Sequence, residues 1–410
     1  MNEHEWSETE WRESCFLAFD LMRDAPEQGR AIAAAMRRQA LARRLPVLGT
    51  FAELLFAFAD FFEGKLALAE PEFERTAAMF ELVGDEEGIA FANLGTVAVW
   101  RKHGMSEQAY SLCHSKILPL LSSRDNRLSV MIFNILGTLS QELGFTEEAV
   151  RHFYTSLEQA RRLNIPNRVS QVLANLGEIF YLSGNATYAE ELLEEARRLA
   201  VNSNERWLAP FISTMLALCK LALEKYEEAY LSVLSYVDED SAAHHTDNAS
   251  RAFCFSVAAY TLAMQGQLSK ADQLNAVAMD LLESFEDRPL KPYSWWVSGH
   301  LHQCHQRYPE AIHDLQRAIE ENANKGYCYT SLCAMKALGD LYASLGQFEE
   351  AYQQQQCYLE LYTKMQGRAT RLHVETVEFK NALKQTELAL RLTESALQER
   401  QLLQHQLASR

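Results

Sequence analysis

The residues best suited to chemistry lie in one short stretch, GHLHQCHQR at positions 299–307. Imidazole nitrogens and thiolate sulfurs are the ligands that zinc prefers in proteins. His300 and Cys304 are four residues apart and would share one face of a helix, with His302 and His305 nearby. On a helix of an antiparallel pair, three of these groups cannot point at one ion, because neighbouring side chains point in different directions. We therefore interpret them as surface or groove residues and expect no metal and no cofactor.

The rest of the sequence carries no catalytic motif. A phosphate-binding glycine loop, a zinc helix of the HExxH type and a nucleophile elbow are all missing from the 410 residues. The stretch VGDEEG at 83–88 combines acids with glycines, but it falls between two copies of the repeat described below. We predict that the chain is not an enzyme.

Composition limits the class of protein further. Hydrophobic residues make up 48% of the chain while Gly and Pro number only 17 and 9, which favours helices over strands. The formal charge of -16 argues against a nucleic-acid partner, because phosphate binding needs clustered cations. The start MNEHEWSETEW is acidic where a secretion signal is basic, and no long apolar run follows. The eight cysteines are scattered, as is usual in a reducing compartment. These features predict a cytoplasmic protein without a membrane segment.

The elements that position any site are set by an internal repeat. Alanines recur 40 residues apart, with one step of 42, at Ala69, Ala109, Ala149, Ala189, Ala229, Ala271, Ala311 and Ala351. A small residue precedes most of them by twelve positions, as Gly177 and Gly339 do. Between the two positions lies a turn residue that is glycine in six of eight copies, with Glu224 and Gln306 as the exceptions. The pattern predicts helical hairpins that stack into a solenoid. We expect Gly177 and Gly339 to accept only alanine or serine, because the partner helix approaches closely there.

The repeat resembles the tetratricopeptide (TPR) family over roughly residues 48–365. The family pattern of Leu-Gly, an aromatic residue, Ala and a following large apolar residue is met by Leu176, Gly177, Phe180, Ala189, Leu193 and Ala196. The period of 40 exceeds the usual repeat of about 34 residues. The resemblance implies an all-α, TPR-like superhelical solenoid of about eight hairpins, followed by a long carboxy-terminal helix. We expect capping helices at 1–46, the solenoid at 47–365 and a helical or coiled-coil linker at 366–410.

The resemblance also implies a ligand groove on the concave face, lined by the first helix of each hairpin. The implied groove residues are largely aromatic or amide: Phe58, Phe61, Asn134, Gln141, Tyr181, Phe211, Phe253, Tyr260, Tyr293, Trp296, His300 and Lys336. Such side chains suit a peptide or protein ligand with large apolar anchors, whereas a clamp for an acidic carboxy terminus would need more cations. The alternative is that tight superhelical coiling buries several of these aromatics and that they bind nothing.

The last 45 residues, 366–410, suggest an output element. Phe379, Leu383, Leu390 and Leu397 form a weak seam that parallel pairing with a second copy would bury, which predicts a homodimer. A solenoid followed by such a helix resembles the sensory region of bacterial TPR-GGDEF diguanylate cyclases, although the cyclase domain itself is absent from these residues. Two functions follow: a regulatory module that binds a peptide or protein and signals through the helix, or a passive interaction scaffold.

Overall fold

A computed structural model describes residues 7–121, 126–203, 205–237, 248–283, 291–321 and 328–364. All regular structure in these ranges is helical, which confirms the predicted all-α class. The α-helices are α1 (Glu8–Leu21), α2 (Pro26–Arg43), α3 (Pro46–Phe62), α4 (Leu66–Val83), α5 (Glu86–Lys102), α6 (Ser106–Leu112), α7 (Arg127–Glu142), α8 (Thr146–Arg162), α9 (Pro166–Leu182), α10 (Ala186–Asn202), α11 (Ala209–Ala222), α12 (Tyr226–Val237), α13 (Asn248–Met264), α14 (Leu268–Glu283), α15 (Lys291–Cys304), α16 (Tyr308–Glu320), α17 (Cys328–Ser344) and α18 (residues 348–364). The predicted linker and dimer seam at 366–410 lie outside the described residues.

The helices form two layers. Each odd-numbered helix packs on the even-numbered helix that follows it and also on the next odd-numbered helix, as α13 does on α14 and α15. Even-numbered helices pack on their hairpin partner and on the start of the next hairpin. The odd-numbered helices therefore make a continuous inner layer, and the even-numbered helices lie outside it. This arrangement confirms the predicted TPR-like solenoid.

The turns inside the hairpins confirm the predicted repeat register. All eight turn positions have a positive φ, including Glu224 and Gln306 at 59°. A residue in this left-handed conformation ends a helix and lets the chain reverse, and glycine adopts it without steric cost. The six glycines at the other turns, with φ between 74° and 84°, follow from that requirement.

Helix starts are also encoded locally. Ser7 and Glu10 form a capping box at the start of α1, in which each side chain bonds the backbone N–H of the other residue. Pro46 and Pro166 occupy the first positions of α3 and α9, where the missing N–H of proline costs nothing. No helix in the described residues is long and apolar enough to cross a membrane.

Glycine is required at the small position of the repeat in some copies but not in others. A Cβ on Gly177 would lie 2.6 Å from Cγ of Leu193, so even alanine forces the two helices to shift. At Gly339 the nearest atom to an added Cβ would be Cβ of Gln354 at 3.6 Å, an ordinary contact distance. An added Cβ at Gly339 therefore fits, as expected for alanine, and it would contact the backbone of α18 at the carbonyl oxygen of Ala351, 3.8 Å away. At Gly177 the restriction is tighter than expected, since it extends to alanine.

We expect Gly177→Ala and Gly339→Ala to have opposite effects on stability. Overpacking against Leu193 should cost Gly177→Ala about 1–3 kcal/mol. Gly339→Ala should be neutral or gain up to about 1 kcal/mol, because alanine is the better helix former. Thermal unfolding followed by circular dichroism checks both variants side by side. Equal melting temperatures for the two variants would contradict this account of the helix contacts.

Candidate functional site

Five of the predicted groove residues come together on two adjacent inner helices, α13 and α15. The rings of Tyr260 and Trp296 lie 4.5 Å apart, and Tyr260 also contacts His300 at 5.2 Å. Tyr293 contacts Trp296 at 5.2 Å and Phe253 at 5.1 Å. We call Phe253, Tyr260, Tyr293, Trp296 and His300 the aromatic cluster. It forms because residues 293, 296 and 300 share one face of α15 and residues 253 and 260 share one face of α13.

The aromatic cluster has a buried base and a more exposed rim. Phe253 and Tyr293 are each only 5% exposed, whereas Tyr260, Trp296 and His300 are half-buried. Burial raises the pKa of the Tyr260 hydroxyl and lowers the pKa of the His300 imidazole. Both groups are therefore uncharged at neutral pH, and the rim offers large, neutral, partly apolar surfaces. Lys336, the one cation among the predicted groove residues, is exposed on the neighbouring inner helix α17.

The histidines and the cysteine of the 299–307 stretch have separate partners. His302 Nδ1 lies 3.1 Å from an oxygen of Asp314, and His305 Nε2 lies 2.8 Å from an oxygen of Asp272. His300 Nε2 is 3.7 Å from Cys304 Sγ, and the His300 ring makes an edge contact with the ring of Tyr260. The three imidazoles thus point to different neighbours, as the helical spacing predicts.

The middle of the inner layer carries amides rather than exposed aromatics. Asn175 donates a hydrogen bond of 2.9 Å from its amide to Oδ1 of Asn134, and Gln141 donates one of 3.2 Å to Glu178. Burial raises the pKa of Glu178, which the bond from Gln141 offsets only in part. These bonds link α7 to α9. Nearby, Tyr181 is buried and Phe211 is half-buried against the core.

The amino-terminal part of the inner layer is covered by α1. Trp11 packs on Phe51 with the rings 5.2 Å apart, and Phe19 packs on Phe58 at 4.7 Å. Phe58 is consequently 1% exposed, while Phe61 is half-buried beside Phe62. In this conformation Phe58, Tyr181, Phe253 and Tyr293 are buried, as the alternative of tight packing anticipates. The part that any of the predicted residues plays in ligand binding stays a prediction.

Polar contacts hold the end of α1 against distant inner helices. The carboxylate of Asp20 pairs with the guanidinium of Arg168, which is 5% exposed, and accepts a hydrogen bond of 2.9 Å from Asn167. Arg127 approaches the same carboxylate at 3.8 Å. Asp24 accepts hydrogen bonds from the backbone N–H groups of Arg206 and Trp207 at 3.2 and 2.8 Å. Asp20 and Asp24 thereby connect α1 to α7, α9 and the segment before α11.

Two half-buried charged residues, Arg23 and Glu205, lie beside these contacts. The guanidinium of Arg23 lies 4.4 Å above the Trp207 ring. Burial, together with the nearby charge of Arg168, lowers the pKa of Arg23, but a guanidinium remains charged at neutral pH. Burial raises the pKa of Glu205 to about 7, although Ser170 donates a hydrogen bond to its carboxylate. Each of the carboxylates Asp20, Asp24 and Glu205 thus faces a cation or a hydrogen-bond donor. We call these contacts between the end of α1 and the later helices the α1 junction.

The covering of the groove by α1 was missed in the sequence, although a signal exists. Trp11, Cys15, Phe16 and Phe19 lie on one helical face and are all buried. In an acidic segment such a face predicts an apolar partner. The partner itself could not be identified, because Arg168 lies 148 residues from Asp20 along the chain.

Comparison with known proteins places this geometry among helical repeat proteins. Residues 128–200 match the sequence model of the tetratricopeptide repeat family. The structure of a Rap protein complexed with Competence and Sporulation Factor has a TM-score of 0.59 at 10% identity, covering 78% of this chain and 99% of that chain. No curated protein matches the sequence.

Two structures of the quorum sensor NprR are similar as well. The apo form from B. thuringiensis has a TM-score of 0.57 at 11% identity, covering 85% of this chain and 99% of that chain. The complex of NprR with its cognate peptide NprX has a TM-score of 0.55 at 11% identity, covering 88% and 100%. Identities this low show the fold alone. The protein is therefore a TPR-like helical solenoid, and its residues 128–200 match the tetratricopeptide repeat family.

Proposed function

We propose that this protein is a regulatory module that binds a peptide through the aromatic cluster on α13 and α15. The observation that carries the proposal is the convergence of five rings on two adjacent inner helices, three of them half-buried at the rim. Partly exposed aromatic side chains on a rigid surface are the anchors that dominate binding energy in protein interfaces. Aromatic residues elsewhere on the inner layer, such as Phe51 and Phe58, are occupied by α1.

The structural neighbours support a peptide as the ligand. NprR is bound to its cognate peptide NprX in one of the similar structures. The Rap protein of the other is complexed with Competence and Sporulation Factor. A peptide ligand is thus compatible with this architecture, and the location proposed for this chain rests on its own aromatic cluster.

The position of α1 restricts the ligand to the carboxy-terminal half of the inner layer. Trp11, Phe16 and Phe19 fill the amino-terminal half with their own rings. Among the described residues the partly exposed rim is formed by Tyr260, Trp296 and His300, and the cation Lys336 is exposed on the neighbouring helix α17. A matching ligand is a short peptide with at least two large apolar side chains and an acidic group or a free carboxylate.

The proposal also includes an output. On the sequence resemblance, the signal would pass through residues 366–410 to a domain of the diguanylate cyclase type, and pairing of that segment would make a homodimer. The proposed setting is the cytoplasm. A passive scaffold would bind partners without changing its own conformation, so a ligand-dependent change in the solenoid distinguishes a regulator from a scaffold.

Selection from a random peptide library with the immobilised full chain tests the proposal. We expect enrichment of peptides that carry two large apolar residues, because the rim of the aromatic cluster offers two adjacent ring surfaces. Calorimetry with one enriched peptide gives its affinity, and hydrogen exchange of α13 and α15 shows whether the solenoid changes on binding. Absence of any enriched sequence class would contradict the proposed peptide site.

A further inference from the structure

The outer helix α6 is irregular at a point that the proposed peptide site does not involve. It ends at Leu112 after 7 residues, whereas the other outer helices from α2 to α16 run for 12 to 18 residues. A π-helical turn, Cys113–Ile117, and a 3₁₀ turn, Leu118–Leu120, follow it. π-helical turns are rare and occur often at functional sites. His114 lies on this turn and is exposed.

The turn brings His114 next to two side chains of α8, the outer helix of the following hairpin. Glu148 and His152 are one helical turn apart on the same face of α8, and His152 Nε2 lies 3.3 Å from Oε1 of Glu148. One ligand atom from each of His114, Glu148 and His152 lies within 4.8 Å of the other two. Three donors from two separate segments therefore converge on one point at the surface.

We propose that His114, Glu148 and His152 form a binding site for a divalent transition-metal ion of the zinc class. Two imidazoles and a carboxylate are an established zinc donor set that leaves a further coordination position for water. Bonds of about 2.0–2.2 Å in a tetrahedron separate neighbouring ligand atoms by about 3.3 Å. The distance between Glu148 and His152 already has this value. The third donor, on the exposed His114, lies within 4.8 Å of the other two, so its side chain would have to turn toward them to complete the site. Imidazole donors favour zinc, copper and nickel over magnesium or calcium.

The protonation states of the two α8 ligands suit a cation. Burial by itself would raise the pKa of Glu148, but hydrogen bonds from Tyr110 and His152 hold it below its ordinary value, so the carboxylate is ionised. Burial lowers the pKa of His152, so its ring is neutral at pH 7. A bound ion would take the place of the hydrogen bond between His152 Nε2 and Glu148: with the proton on Nδ1, the Nε2 lone pair would face the ion. The α8 part of the site thus combines the negative charge of Glu148 with the neutral imidazole of His152.

Tyr110 of α6 is a positioning residue for this site. Its hydroxyl donates a hydrogen bond of 2.5 Å to Oε1 of Glu148, and its ring lies 4.3 Å from the ring of His114. It therefore contacts both segments that supply ligands. Partners that orient metal ligands in this way raise metal affinity. A bound ion would fasten the π-helical turn to α8 on the outer layer, away from the aromatic cluster on the inner layer.

Zinc chloride titrated into the untagged full chain at neutral pH tests the site. We expect the wild type to bind one zinc ion per chain and to melt at a higher temperature when zinc is present. In His114→Gln we expect the zinc affinity to fall at least about tenfold. Because His114 is exposed, its substitution leaves the fold intact. His305→Gln is the matched control, since His305 faces only the carboxylate of Asp272 in a pair at 2.8 Å and should keep the wild-type affinity.

Cobalt(II) provides a second readout that stability changes do not mimic. Visible absorption bands of a low-coordinate cobalt site should appear with the wild type and with His305→Gln, and should be absent with His114→Gln and His152→Gln. Equal zinc affinity of wild type and His114→Gln, or a wild type without any zinc-dependent rise in melting temperature, would overturn the assignment. Either result is independent of peptide binding at α13 and α15.

Discussion

Asp20→Ala is expected to lower the free energy of unfolding by about 3–5 kcal/mol, because it leaves a buried guanidinium without its carboxylate. Arg168 is 5% exposed and pairs with Asp20, which also accepts a hydrogen bond from Asn167. Chemical unfolding monitored by circular dichroism measures the loss. Hydrogen exchange should in addition show faster exchange in α1, since this carboxylate connects α1 to Arg168 and Asn167 of α9.

Two further variants separate the buried charge from other effects of Asp20→Ala. Adding Arg168→Met to Asp20→Ala should recover much of the lost stability, because the unpaired charge is then gone. Glu8→Ala is the control on the same helix. Its carboxylate forms an exposed pair with Arg12 one turn away, which is worth at most about 0.5 kcal/mol. If Asp20→Ala and Glu8→Ala unfold at the same denaturant concentration, the contacts of the α1 junction do not hold α1 in place.

The second large effect concerns ligand affinity. The double variant Tyr260→Ala, Trp296→Ala is expected to weaken binding of a library-selected peptide by about 100-fold or more, because anchors of this kind each contribute about 2 kcal/mol or more. The two rings are 4.5 Å apart and half-buried, so their removal takes away the rim of the aromatic cluster. Calorimetry with the same peptide on wild type and variant gives the ratio of dissociation constants.

Controls for this variant address shape and stability. Tyr260→Phe keeps the ring and should change affinity only slightly. Tyr352→Ala removes a tyrosine that is 64% exposed on α18 and should leave affinity unchanged. Melting temperatures of all variants show whether the fold is retained. Undiminished affinity of a folded double variant would exclude the aromatic cluster as the peptide site.

The sequence by itself determined the repeat and the fold. Positions 40 residues apart predicted the helical hairpins, and the turn residues from Gly64 to Gly346 all adopt the positive φ that the pattern required. These features are readable because they depend on local sterics and on contacts within one hairpin. The i, i+3 and i+7 spacing that places Tyr293, Trp296 and His300 on one face of α15 is local in the same sense.

Only the tertiary structure decided which predicted groove residues are buried and which stay partly exposed. Phe58 and Tyr260 occupy comparable positions in their repeats, yet Phe58 is covered by α1 and Tyr260 remains half-buried at a rim. Gly177 and Gly339 differ within their own hairpins, where an added Cβ would meet the side chain of Leu193 and that of Gln354 respectively. The burial of Phe58 depends on the placement of α1, which contacts such as Asp20 with Arg168 make across 148 residues. Such contacts follow from the superhelical path of the whole chain, and no periodicity within one repeat specifies that path.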